Sequence, residues 1–269
     1  MAWRRFHARP RMEPPPCHDV WTEEHLEVPL LLSLWLLAAP VTAEPQQTIQ
    51  AAFAPPPGAR RVTADAWGAW LQQRPLHDVQ RPVRTWNGKE VGHRARVVDM
   101  PLVRGDLQQC ADSAIRLRAE WLRAQGLPVM FHATSGDPMP WSRFAGGQTP
   151  YAEGRGLAWR EGSTGEWNDY LRLVFTWAGT ASLAQFDTVP IEAPSPGTML
   201  LQGGFPGHVV VILDVARTED QTWLLIGEGF MPAQDFHVEL GPEHGWWPWD
   251  GQLDLGHWRF TAEHLRAFR

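Results

Sequence analysis

Pro196-Gly-Thr-Met-Leu-Leu-Gln202-Gly-Gly-Phe-Pro-Gly-His208-Val-Val-Val-Ile-Leu-Asp-Val215 decides the fold class. It holds two β-type runs, Thr198 to Gln202 and His208 to Ala216, split by a Gly- and Pro-rich turn. Further strand-like runs follow at Thr222 to Glu228 and Phe236 to Leu240, again separated by Gly-rich or polar turns. A lone histidine heads the second run, which is apolar apart from Asp214. A histidine in that place can set its ring at a sheet edge, facing a helix N-terminus.

Upstream of these strands the pattern is helical. Leu107, Cys110, Ala114, Leu117, Trp121 and Ala124 recur every three or four residues, so a helix is expected from about Asp106 to Gln125. Asp106 and Gln109 form its capping pair, and Gly126 with Pro128 ends it. Cys110 then lies one turn in, on the apolar stripe. A shorter helix is expected after a cap at Thr63 or Asp65, with Trp67, Trp70 and Leu71 on one face and Pro75 as its stop. A further helix is expected over Glu166 to Phe186, broken near Gly179, and a last one over Thr261 to Phe268. Arg94 to Asp99 reads as a short strand, and residues 133–165 as a long irregular excursion over the site.

The first 45 residues read differently. Val28 to Ala39 is an apolar run too short to span a bilayer comfortably, and Val41-Thr-Ala43 is a small-x-small cleavage site. Acidic residues (Asp19, Glu23, Glu24 and Glu27) intervene between the basic N-terminus and this run, which points to a true start nearer the run. The organisation expected is an N-terminal extension and signal peptide over 1–43, a Pro-rich linker over 44–60 and one domain over 61–269. An exported protein, periplasmic or extracellular, is expected, with no stable membrane span after processing. Cys17 precedes the cut, so the mature chain keeps Cys110 alone and has no internal disulfide.

Composition narrows the function classes. The 269 residues carry a net charge of −6, which gives no concentrated basic face for nucleic acid. Lys89 is the single lysine among 24 basic residues, and tryptophan reaches 16 against 2 tyrosines, a skew expected of a GC-rich coding bias. No Gly-x-Gly-x-x-Gly or Walker pattern is present, and no serine sits in a Gly-x-Ser-x-Gly elbow. His208, Asp214, Glu228, Asp235, His237 and His244 fall in one stretch, but none has a recognised zinc spacing such as His-Glu-x-x-His. Neither a metal nor a cofactor is expected.

What remains is cysteine chemistry. Near a helix N-terminus, unsatisfied amides and the macrodipole favour a thiolate, and a histidine within reach forms an ion pair with it. Cys110 is equally readable as a small buried hydrophobe. Glu228, at the end of the strand after His208, would fix the imidazole tautomer, or it is a solvated strand-end carboxylate. Gln234 and Asp235 are alternative orienters. Gln108 and Gln109 offer amide donors for an oxyanion, or form plain helix surface.

The order of Cys on a helix, then His and a carboxylate on successive strands, resembles papain-like cysteine hydrolases. The Pro196 to Val215 segment resembles the corresponding piece of NlpC/P60 and CHAP peptidases, with Gly197-Thr198 in place of the usual Gly-Asp. Across residues 62–250 the chain also resembles a bacterial family catalogued as domain of unknown function 4846. That likeness rests on Trp67…Trp70-Leu71, Trp86-Asn-Gly88, Leu107-Gln-Gln-Cys-Ala-Asp112, Arg116-Leu-Arg-Ala-Glu120, Ala178-Gly-Thr180, Gln202-Gly-Gly, Pro206-Gly-His208 and Met231-Pro-Ala-Gln-Asp235.

The resemblance implies an α+β, papain-like fold of NlpC/P60 type, with the Cys-bearing helix packed on an antiparallel sheet. It implies a cysteine amidase or peptidase acting on an envelope amide such as a cell-wall peptide, with Cys110 as nucleophile, His208 as base and Glu228 as orienter. The alternative is a catalytically inactive envelope module that holds a glycan or peptide. In either case Trp141, Tyr151, Trp159, Trp246 and Trp247 are the expected groove aromatics.

Overall fold

The computed structural model describes residues 46–92 and 94–269. The apolar run 28–39, the expected cleavage site 41–43 and Cys17 lie outside the described residues. In chain order the elements are α1 (Ile49–Ala52), β1 (Arg60–Arg61), α2 (Ala66–Gln72), β2 (Ala95–Val97) and α3 (Cys110–Ala124). Next come β3 (Met130–His132), β4 (Pro138–Pro140), α4 (Trp141–Ala145), β5 (Gln148–Glu153), β6 (Gly156–Glu161) and α5 (Trp167–Trp177). The strand-rich half has β7 (Thr188–Pro190), β8 (Met199–Gln202), β9 (His208–Arg217), β10 (Thr222–Glu228), β11 (His237–Glu239), β12 (Trp247–Trp249), β13 (Gln252–Asp254), β14 (Arg259–Thr261) and β15 (Leu265–Phe268).

The fold is α+β and is built on one antiparallel sheet in the order β2-β11-β10-β9-β8-β15-β7, with β1 joined to β9 and β12 to β10. Its centre is the β8–β9–β10 meander, in which Gln202 faces His208 and Gly227 faces Val211. β9 is apolar on both parities because both of its faces are covered. Val209, Val211 and Leu213 meet Ala111, Ala114, Ile115 and Leu117 of α3 on one side. Val210 and Ile212 meet Leu253, Leu255 and Phe260 on the other. A strand covered on both faces shows no alternation to read.

One polar group interrupts this interior. Asp214, fully buried on β9, pairs with Arg61 of β1 and accepts from Gln72 Nε2 of α2 at 2.8 Å. A buried carboxylate needs such partners, and here they fasten two N-terminal elements onto the central strand.

Four sequence expectations change. Residues 46–60 are no free linker: Thr48 caps α1, and Ile49 and Phe53 are buried in the main core. The Cys-bearing helix starts later than Asp106. Gln109 is its cap, its backbone amide donating to Asp112 at 3.0 Å, so Cys110 is the first helical residue. Asp106 instead accepts from the Ala233 amide at 2.7 Å and anchors the loop after β10. The 133–165 stretch is largely ordered as the β3–β4 and β5–β6 hairpins with α4 between them. The expected C-terminal helix is a single 3-10 turn followed by β15, which bridges β8 and β7. Pairing on both sides there overrides a short helical periodicity.

Asp112 carries a pH signature of the α3 cap. Burial pushes its carboxyl up to about 7, against the pull of the Gln109 amide and its own. The proton-bound form is therefore favoured in the fold, and the stability it contributes is full below the unfolded carboxylate range and lost as pH rises towards 7. Asp112→Asn keeps an acceptor without the charge. Urea denaturation at about pH 4 and about pH 8 should show the variant gaining up to ~4 kcal/mol on wild type across that interval. Parallel pH profiles would contradict this account of the cap.

Candidate functional site

β9 begins at His208 and β10 ends at Glu228, so the antiparallel meander brings both to one edge of the sheet. Both are buried, and His208 Nε2 donates to Glu228 Oε1 at 2.5 Å. The rings of Phe230, Trp258 and Phe260 surround the imidazole, with centroids 5.1–5.9 Å away. A second ring shares the same oxygen: His257, in the turn before β14, lies with its Nε2 2.8 Å from Glu228 Oε1. Burial raises the Glu228 carboxyl, but the hydrogen bonds from His208 and His257 outweigh it and hold the group below its ordinary range. His257 is raised chiefly by its hydrogen bond to Glu228. With Nε2 committed as donor, Nδ1 of His208 is the nitrogen able to accept a proton.

Cys110 reaches this edge from the other side. α3 covers the Val209 face of β9, whereas alternation turns His208 to the opposite face. The thiol meets the sheet at the backbone, where the Val209 amide faces its sulfur. Burial pushes the thiol up to about 11; the Ala111 and Val209 amides pull it down by less, and the Asp112 and Glu228 carboxylates add to the rise. Among the described residues no hydrogen bond joins the sulfur to His208.

The glycines flanking Glu228 allow this approach. A Cβ on Gly229 would lie 2.4 Å from Ser113 Oγ and 3.1 Å from the Gln109 carbonyl, both on α3 or its cap. A Cβ on Gly227 would lie 2.5 Å from the Phe236 ring.

The remaining expected residues divide. Gln108 is fully buried; its carbonyl oxygen accepts from Arg116 at 2.6 Å and from the Val103 amide at 3.3 Å, and among the described residues its Nε2 makes no hydrogen bond. Gln109 is the helix cap. Gln234 lines the cavity beside Glu228, but Asp235 is bound to Arg81 Nη2 at 2.9 Å and the Arg84 amide at 3.0 Å, which removes it as an orienter.

That cavity, of about 710 Å³, is walled by Thr85, Val91, Glu228, Phe230, Glu239 and His257 among others, and neither Cys110 nor His208 forms part of its lining. None of the five expected groove aromatics lines it either. Trp246 is fully buried with its Nε1 on the Ala54 carbonyl, and Trp247 donates to the Glu239 carbonyl. Trp141 packs edge-on against Trp167 and Tyr170, and Trp159 lies under Arg143. Tyr151 stays on the β5–β6 hairpin with its hydroxyl on Glu153. These rings fill gaps between elements, so counting aromatics could not find the groove.

Sequence reasoning missed His257 as a partner of Glu228 and the 85–92 segment as a cavity wall. His257 sits in a turn, where no periodicity signals an inward ring. The Asn87-Gly88 turn marks the wall segment as a turn but says nothing of what it faces.

Gly229→Ala should press the first turn of α3 off the sheet, at a cost of roughly 1–3 kcal/mol in denaturant unfolding. Because the sulfur loses its cover, Cys110 should then titrate closer to the ~8.5 of an ordinary thiol. A variant unchanged in both stability and thiol titration would refute the close packing described at Gly229.

Among the described residues, no helix is long and apolar enough to cross a membrane. No curated protein and no solved structure matches this chain. The family model described as domain of unknown function 4846 matches residues 49–267, from α1 to the last strand. The chain belongs to the domain of unknown function 4846 family.

Proposed function

We propose that this protein is an exported papain-like cysteine hydrolase, an amidase or peptidase, acting on an envelope amide such as a cell-wall peptide. The observation that carries the reading is the buried His208–Glu228 hydrogen bond at 2.5 Å, one residue from the amide that faces the sulfur of Cys110. Cys110 opens α3, so its own backbone amide, in the first helical turn, is a candidate donor at the point of attack. The helix, β8, β9 and β10 follow the order in which NlpC/P60 and CHAP peptidases carry their nucleophile and histidine.

The thiol is protonated at rest, since burial holds it near 11. Attack therefore begins with proton transfer and not from a standing ion pair. On this reading Cys110 leaves the Val209 amide and its proton passes round the sheet edge to Nδ1 of His208, on the other face of β9, directly or through a water, as sulfur bonds to the substrate carbonyl carbon. The carbonyl π pair moves to oxygen, where α3 amides and the unpaired Nε2 of Gln108 are the candidate donors. Collapse expels the amine, which receives the proton from His208. Water, deprotonated by the same nitrogen, releases the acid from the thioester. Glu228 keeps the ring in the Nε2–H tautomer and supports its transient positive charge.

A second reading, the catalytically inactive binding module for a glycan or peptide, is favoured by the absence of a Cys110–His208 hydrogen bond among the described residues. It is favoured also by a cavity whose lining does not include the sulfur.

Labelling by a peptidyl fluoromethyl ketone separates the two, because this carbonyl electrophile needs base assistance. Under the hydrolase reading Cys110 is labelled at neutral pH, and His208→Ala slows labelling on the order of 100-fold or more. Iodoacetamide, which needs a standing thiolate, should remain slow in both proteins until pH approaches about 11. A thiol that reacts with the ketone only after denaturation, or equally in both proteins, would overturn the hydrolase and leave the binding module.

A further inference from the structure

We propose that the 710 Å³ cavity is a recognition site for a peptide bond flanked by an aliphatic side chain, read by the side-chain amide of Gln234. Its role as a substrate subsite rests on the hydrolase reading, but its occupancy needs neither Cys110 nor His208, which are not in its lining. Thr85 and Gln234 face each other in an antiparallel bridge. On one side of it the Trp86 amide donates to the Ala233 carbonyl at 2.7 Å, and on the other the Asp235 amide donates to the Arg84 carbonyl at 2.9 Å. Extended backbone alternates, so Asp235 turns to Arg81 and the Arg84 amide while Gln234 turns the opposite way, to the cavity. The bridge holds the Gln234 side chain in place as a strand would.

The state of that amide is the second observation. Gln234 is only 4% exposed, yet among the described residues its side chain makes no hydrogen bond. Thr85, across the bridge, is already engaged, with its hydroxyl on Asn87 Oδ1 and the Lys89 carbonyl. A primary amide carries two N–H donors and an acceptor oxygen, and leaving them unpaired away from water is costly. A peptide bond answers both halves at once. Nε2 donates to its carbonyl oxygen while Oε1 accepts from its N–H, so the two amides pair side by side.

The rest of the lining decides what the ligand carries beside its amide. Val91, Phe230, Met231 and Leu255 give the cavity an apolar wall, and Met231 is left exposed as an adaptable lip. Glu90, Glu228 and Glu239 outnumber Lys89 and His257, so the lining lacks the cationic surplus that a carboxylate or phosphate would require. A glycan would set hydroxyls against the apolar wall and leave them unpaired. A peptide places one amide on Gln234 and an adjoining aliphatic side chain on the wall. The volume falls within the roughly 300–1,000 Å³ of small-ligand sites.

The test is titration of N-acetyl-leucine methylamide into the full chain carrying Cys110→Ala, followed by the backbone ¹H–¹⁵N NMR signals of Phe230 and Met231. Saturable shifts are expected, and Gln234→Leu should weaken binding on the order of 10-fold. The analogue methylated on both nitrogens has no N–H. It should bind about 10-fold more weakly than the parent diamide where Gln234 is present, and no more weakly in Gln234→Leu. Met231→Ser, at an exposed position, should weaken the diamide several-fold through lost apolar contact. Circular dichroism verifies that each variant is folded. No saturable shift, undiminished binding in folded Gln234→Leu, or binding of cellobiose in place of the diamide would overturn the site. Cys110→Ala has no thiol to label, so failure of this subsite and failure of the hydrolase reading are separate results.

Discussion

A carboxylate shut away from water at the end of a central strand is the constraint on which the site depends. Glu228 is buried, and desolvation alone would favour its neutral form. His208 and His257 reverse that by donating to the same oxygen, one from the neighbouring strand and one from a distant turn. Satisfying this charge fixes the His208 tautomer, draws the β13–β14 turn against the sheet edge and gives the cavity its polar wall. Breaking one member leaves an uncompensated buried group, which is far more costly than losing a surface pair.

Opposite this charge sits a thiol that the fold keeps neutral. A helix N-terminus favours anions by about 0.3–1 kcal/mol at an exposed site, up to ~2 kcal/mol when partly buried. Burial of Cys110 outweighs that pull, along with the two amides that face the sulfur, and the nearby carboxylates act in the same direction. An α3 N-terminus is thus insufficient to make a reactive cysteine here. Under the proposed hydrolase reading, the reactivity of Cys110 would come from His208 acting as a base during attack and not from a standing thiolate. Asp112 and Gly229, which cap and seat the first turn, govern whether the sulfur stays at the Val209 amide.

Much of the frame was legible from the chain itself, and for identifiable reasons. The β8–β9–β10 runs were bounded by Gly and Pro turns, and α2 by an aspartate cap and a proline, so local chemistry marked their ends. The start of α3 was misjudged because Asp106 and Gln109 match a capping pair, while the actual cap uses the Gln109 amide and Asp112. Residues 44–60 looked like a linker because proline is frequent there, yet Ile49 and Phe53 supply core contacts that composition does not reveal. The C-terminal strand was hidden because β15 gains its stability from β7 and β8, far earlier in the chain.

At the site, the His208–Glu228 pair was readable because neighbouring antiparallel strands must bring a strand start and the next strand's end together. His257 and the 85–92 wall were not, since turns carry no period that shows which way a side chain faces. Tryptophan count misled in the same way: Trp246 and Trp141 serve packing, and their hydrogen bonds and ring contacts are internal.

The most direct measurement is long-range ¹H–¹⁵N NMR of the imidazole nitrogens in chelator-treated protein at neutral pH, with His208→Gln to assign the signals. The account predicts a neutral His208 ring protonated at Nε2 with a bare Nδ1, held there by Glu228. A His208 protonated at Nδ1, or a ring exchanging freely between tautomers, would contradict the claim that the buried carboxylate organises this site.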